Sequence, residues 1–152
     1  MKLLMVILML FADLPKTIHN DQNMDYIRVS YTKALSDKKL CKAMIEELDT
    51  KNGNNVYLAY LGAFKAIWAG HAINPIAKLN TFNKGKQHIE AAVKADPDNV
   101  EIRFIRLSIQ KNCPSFLGYS NQIEQDTHFI HANRNSITSI QLKKMITEII
   151  KK

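Results

Sequence analysis

The chain has 152 residues, 46% of them hydrophobic and 23% charged, with five glycines and four prolines. That suffices for one domain with a buried core, and so little Gly and Pro, with Leu, Ile, Lys and Ala plentiful, favours helices joined by short turns. Its formal charge of +7 comes from lysines scattered without any long block, a pattern of solvated surface that argues against a nucleic-acid interface.

Lys2 precedes the uncharged apolar run Leu3–Ala12. This length suits a secretory signal and is too short to cross a bilayer as a helix. Leu10 stands where a cleavage site wants a small residue, so a buried apolar plug is the competing reading. Residues 1–19 are therefore taken as leader and linker, and 20–152 as one helical domain. Export, with a periplasmic location, leads over a cytoplasmic one. Cys41 and Cys113 have no CxxC spacing, and a bridge between them is open only if the chain is exported.

Leu14 to Asn23, with Pro15 and a polar cluster, reads as a linker. Helical periodicity begins near Met24, with Ile27, Tyr31 and Ala34 on one face, and ends near Ser36. Ser36 is placed to cap a second helix, Asp37 to Thr50, whose inner face carries Leu40, Cys41, Met44, Ile45 and Leu48. Asn52-Gly-Asn-Asn55 is a turn. The third helix, Val56 to Ala72, is apolar over more than half its circumference through Leu58, Leu61, Phe64, Ile67 and Trp68, as a central helix must be. Asn74-Pro75 separates it from a fourth helix, Ile76 to Lys94. A fifth, Asp98 to Lys111, stops at Asn112-Cys-Pro114. The Phe116–Tyr119 loop leads to a sixth, Gln122 to Ala132, and Ser136 caps a last one through Ile149. No segment alternates as a half-buried strand does, so the expected class is all-α with six or seven helices.

The block Gly85-Lys-Gln-His-Ile-Glu-Ala-Ala-Val-Lys-Ala-Asp-Pro97 places small, apolar, small and Pro residues at spacings that let helices cross closely and then turn. It resembles the second half of a tetratricopeptide repeat, and Leu61-Gly62 resembles part of the first half. Leu58, Lys65, Arg103 and Arg106 depart from the repeat pattern. The resemblance implies antiparallel helix pairs in a right-handed stack and a role in protein or peptide binding. A longer stretch, Asn55–His71 with Asp96–Asn112 and Phe116–Tyr119, is similar to a family of uncharacterised small proteins from the Bacteroidetes. Its members commonly begin with a signal peptide, which implies export here.

Arg103, Arg106 and Gln110 fall on one narrow stripe at about 100° per residue, flanked on both sides by apolar residues. Such a helix is sandwiched, and its guanidinium groups need anionic partners. Asp126 and Glu124 supply them if the stripe braces the fold; otherwise it opens, with Tyr119, as a groove for an acidic peptide or other anion. Lys65, Trp68 and His71, three apart on the third helix, form an alternative small-ligand or enzymatic pocket. His128 and His131 share a helix face, but no third ligand is set by spacing, so no metal is expected. No phosphate loop, dinucleotide fingerprint or nucleophile elbow occurs, and no cofactor is expected. The sequence therefore points to a non-catalytic helical binding or scaffolding protein of the cell envelope, with a purely structural envelope component as a further alternative.

Overall fold

The computed structural model describes residues 16–151, with side chains from Asn23 onward. The run Leu3–Ala12, and with it the export reading, lies outside the described residues. Seven α-helices follow in order: α1 (Lys16–Lys33), α2 (Lys38–Asp49), α3 (Asn55–His71), α4 (Pro75–Ala95), α5 (Val100–Asn112), α6 (Ile123–Asn133) and α7 (Ile140–Ile150). Single 3-10 turns at Ser115–Leu117 and Arg134–Ser136 flank α6, and there is no strand among the described residues. The chain is all-α.

Three local expectations change. Helix α1 begins at Lys16, so most of the stretch read as a linker is helical and the 19/20 boundary falls inside it. Asp37, not Ser36, caps α2: its carboxylate accepts from Leu40 N at 2.9 Å, while the Ser36 hydroxyl donates back to Lys33 O. Ser139, not Ser136, caps α7 by accepting from Leu142 N at 3.2 Å; Ser136 ends a 3-10 turn and donates to Asn133 O. In both cases a second short polar residue nearby has the extended backbone that an N-cap needs. Asn54, Asn74 and Asn99 cap α3, α4 and α5 in the same way, and Pro75 fills the first position of α4.

Cross-helix partners set the chain directions. Cys41 meets Phe64 and Lys38 meets Trp68, so α2 and α3 are antiparallel. Arg106 meets Asp126 and Gln110 meets Gln122, so α5 and α6 are antiparallel too. Arg28 pairs with Glu101 and Tyr31 with Ser108, which makes α1 and α5 parallel. Tyr31 also packs edge-on against Tyr60 and Phe64, and Ala34 O contacts His71, so α3 runs the same way. Helices α1, α3 and α5 thus share one direction, and α2 and α6 oppose it.

Helices α3 and α4 meet most closely where Gly62 crosses Gly85. A Cβ on Gly62 would lie 2.5 Å from Gly85 O, and one on Gly85 would lie 2.5 Å from Gly62 O and 2.8 Å from Ala66 N. The two backbones touch, which brings Ile89 against Gly62 and buries it with Ala92 in the core. Gly70, by contrast, has open space where a Cβ would sit, with no atom within 4 Å. Gly85→Ala should therefore destabilise the fold by about 1–3 kcal/mol through forced overpacking, whereas Gly70→Ala should raise stability by up to about 1 kcal/mol. Urea unfolding followed by circular dichroism reads both; equal effects at the two sites would show that the crossing is not tight.

Candidate functional site

Helix α5 is the most deeply enclosed polar helix of the fold. Glu101, Ile102, Phe104, Ile105, Arg106, Leu107, Ser108, Ile109 and Gln110 are all buried. Charged groups in such a place are stable only when paired and hydrogen-bonded, and two networks do this on its two flanks.

The first joins α5 to α6 and α4. Arg106 donates to both Asp126 oxygens, at 2.7 Å from Nε and 2.7 Å from Nη2, and reaches Glu90 at 3.2 Å from Nη1. Arg103 donates from Nη1 to Asp126 at 2.9 Å and from Nε to Pro97 O at 2.8 Å, with its guanidinium over the Phe129 ring. Asp126 is 0% exposed. Gln110 donates to Gln122 at 3.0 Å, and Tyr119 donates to Glu90 at 2.6 Å. Burial would lower the Arg106 pKa, but the bonds and charge of Asp126, with Glu90, outweigh it and the guanidinium stays firmly protonated. Burial, reinforced by Glu90, likewise pushes the Tyr119 phenol well up, so it remains a donor. Gly118, at φ 60, makes the left-handed turn that delivers Tyr119 inward.

The structure thus brings Arg103, Arg106, Gln110 and Tyr119 together, but facing one another's partners. Helix α6 closes over the stripe. The accessible groove expected there is replaced by a brace, because Asp126 sits opposite both guanidinium groups at hydrogen-bonding distance. Glu124, the other expected partner, is exposed and lies 3.9 Å from His128.

The second network was not legible in the local pattern. Arg28 of α1 binds Glu101 bidentately, at 2.8 Å from Nε and 2.7 Å from Nη2, and Asp25 at 2.7 Å from Nη1. The Tyr60 hydroxyl of α3 donates to Glu101 at 2.8 Å, and Ser139 donates to Asp25 at 3.2 Å. Burial would lower the Arg28 pKa; Glu101, then Asp25, more than reverse this. Burial and Glu101 together push the Tyr60 phenol up, and burial takes Tyr31 to about 12. One available signal was Glu101 itself, a carboxylate among Val100, Ile102, Phe104 and Ile105.

Above this network lies an open cleft of ≈ 260 Å³, where Asp98, Asn99 and Glu101 of the α5 entry face Ser136, Thr138 and Ser139 before α7. Backbone at Ile137 and Ser139 is extended. The cleft is the concave polar surface next to the paired charges.

No protein family, curated protein or solved structure matches the chain. Lys65 pairs with Asp49 at 3.3 Å, toward α2. Trp68 lies under the Lys38 ammonium at 5.3 Å and 6.0 Å from the His71 ring. His71 Nε2 is 3.1 Å from Ala34 O. The three residues line α3 as expected; Trp68 and His71 contact each other, while Lys65 turns away to Asp49. No cluster of three or more metal-ligating side chains occurs among the described residues. Cys41 is buried against Phe64 O, its thiol pushed up to about 11 by burial, and Cys113 contacts the carbonyls of Gln110 and Tyr119. Both are free thiols.

His88 is a pH-sensitive point beside the α3–α4 crossing. Its Nδ1 is buried without a partner, and burial, then the Lys65 charge, lower its pKa from the usual 6.5. The unfolded chain therefore takes up this proton before the folded one does as pH falls. Stability is full above about pH 6.5 and declines from there toward the lowered value. His88→Gln should flatten that part of the stability–pH curve measured by urea titration; an unchanged slope would place the acid sensitivity elsewhere. Removing the shared carboxylate by Asp126→Ala should cost about 3–5 kcal/mol, since two guanidinium groups lose their main anion. Lys42→Ala, which breaks only the exposed pair with Glu46 at 3.7 Å, should cost under about 0.5 kcal/mol. Comparable losses in thermal unfolding would refute the brace.

Proposed function

We propose that this chain is a non-catalytic binding or scaffolding module of the cell envelope that engages a peptide or protein segment. The observation that carries this reading is the open cleft at the α5 entry, floored by the Arg28–Glu101–Tyr60 network. A bidentate, fully paired floor holds the cleft walls in one arrangement, and preorganisation of this kind favours recognition. The extended backbone at Ile137 and Ser139 suits a partner segment laid alongside it. Alternating helix directions, with the tetratricopeptide-like Gly85–Pro97 block at their closest crossing, support a scaffold role. The cleft's lining holds Asp98 and several hydroxyls and no lysine, and its Arg28 is already paired with Glu101 and Asp25, so a partner segment offering hydrogen-bond donors suits it better than an acidic one. Export, and hence the envelope, rests on the run Leu3–Ala12.

A photo-crosslinking residue in place of Thr138, in the full-length chain within the native envelope fraction, tests the reading. One discrete protein adduct from position 138, and none from the exposed α4 position Gln87, is the expected result. Adducts from both positions, or from neither, would sink it. Thr138→Trp, which fills the cleft without touching the paired charges, should reduce recovery of that same partner about tenfold, a loss of about 1.4 kcal/mol, at unchanged thermal stability.

A further inference from the structure

The end of the molecule opposite the cleft carries an unusual surface. Because α1, α3 and α5 run in one direction, their C-terminal ends come out together. Ala34 O lies 3.1 Å from His71 and Lys38 lies over Trp68, so the α1–α2 turn sits beside the α3–α4 turn. Leu35 is 69% exposed, Ile76 72%, and Ile73 97%. Phe116, in the turn after α5, is also exposed at this end. The first six residues of α4, from Pro75 to Asn80, are exposed on every side of the helix, so this tip projects beyond its neighbours. It is nonetheless firmly built: Asn74 accepts from Ile76 N at 2.9 Å and Ala77 N at 3.1 Å, with Pro75 at the first position.

Charge follows the apolar set. Lys33, Lys38, Lys39 and Lys78 are exposed on the helix ends that flank these two turns. Asp37 is the sole carboxylate of the two, and its oxygen caps α2. From Thr50 to Ile89 the sequence holds no Asp or Glu. Glu90, fifteen residues along α4, is about 22 Å from the tip at 1.5 Å per residue.

We infer that this tip docks on an anionic lipid surface, Ile73 and Ile76 entering the interface while the lysines meet lipid headgroups. The convex form selects this occupant. A residue 97% exposed has no walls around it, so a folded protein partner would have to supply the entire cavity. A bilayer deforms around a projecting aliphatic group, and exposed Leu and Ile beside clustered Lys is the combination that partitions to negatively charged membranes. This surface is separate from the cleft, which lies at the N-terminal end of α5.

The run Leu3–Ala12 can itself partition into lipid, so the test must read the tip alone. An environment-sensitive fluorophore on Ile73→Cys, in a Cys113→Ser background of the full chain, should shift to the blue with phosphatidylcholine–phosphatidylserine vesicles. It should shift little with phosphatidylcholine alone, and the response should weaken in high salt. Ile76→Ser together with Lys78→Glu should weaken the vesicle affinity read by that probe at least about tenfold. Equal shifts on neutral vesicles, no shift on either, or a shift on raising protein concentration without lipid would each overturn the proposal, the last by making the tip a contact between copies.

Discussion

A helix enclosed on all sides can carry charge only if its neighbours present the opposite charge at matching heights, and α5 imposes that condition on most of this molecule. Asp126 must face Arg103 and Arg106, which fixes the position of α6. Glu101 must face Arg28, which fixes α1, and Tyr60 on α3 fills the remaining acceptor site. Leaving any of these groups unpaired would cost several kcal/mol, about as much as a sizeable fraction of a domain's whole stability. Apolar packing brings the helices together; the buried charges select one register among many. Polar groups at fixed heights forbid sliding in a way that leucines do not.

The Gly62–Gly85 contact explains how α5 becomes so enclosed. Backbone touching backbone draws α3 and α4 into one thin pair, and α5 then packs against both. Glu90, five residues beyond Gly85 and so still near the crossing, is brought within reach of Arg106 and Tyr119. Close crossing and charge pairing are therefore coupled: widening the first would lengthen the second.

Helix number, class and most boundaries were readable because periodicity and turn residues are local signals. Asn74-Pro75 announces its helix directly, whereas the fifth helix, read from Asp98, begins only after the Asn99 cap. The errors lie where two candidates stand close together. Ser36 precedes Asp37, and Ser136 precedes Ser139; choosing between them depends on where the backbone leaves the helical region, which composition does not encode. The start of α1 was obscured because its first turns lack an apolar stripe, and periodicity sees nothing in a helix without one. The arginine stripe was legible as a stripe, together with its natural partner Asp126. Its direction was not, since whether a neighbouring helix covers a charged face is a question of tertiary packing. Arg28 and Glu101, separated by 73 positions, share no pattern at all until the helices are assembled.

Pairing the charges internally also divides the surface. With arginines and carboxylates spent around α5, the two ends of the parallel set α1, α3 and α5 are left with different chemistry. At the N-terminal end of α5, Asp98, Asn99 and the hydroxyls of Ser136, Thr138 and Ser139 frame a concave polar cleft. At the C-terminal ends, turns carry exposed aliphatic groups and lysines. Helix dipoles run in concert with this arrangement, since the partial negative charge at the ends of α1 and α3 favours cations there. A molecule polarised in this way can face a surface with one end and a soluble segment with the other. The brace at α5 holds the two ends in a fixed relation, so that contact at one cannot loosen the frame of the other without breaking a buried ion pair.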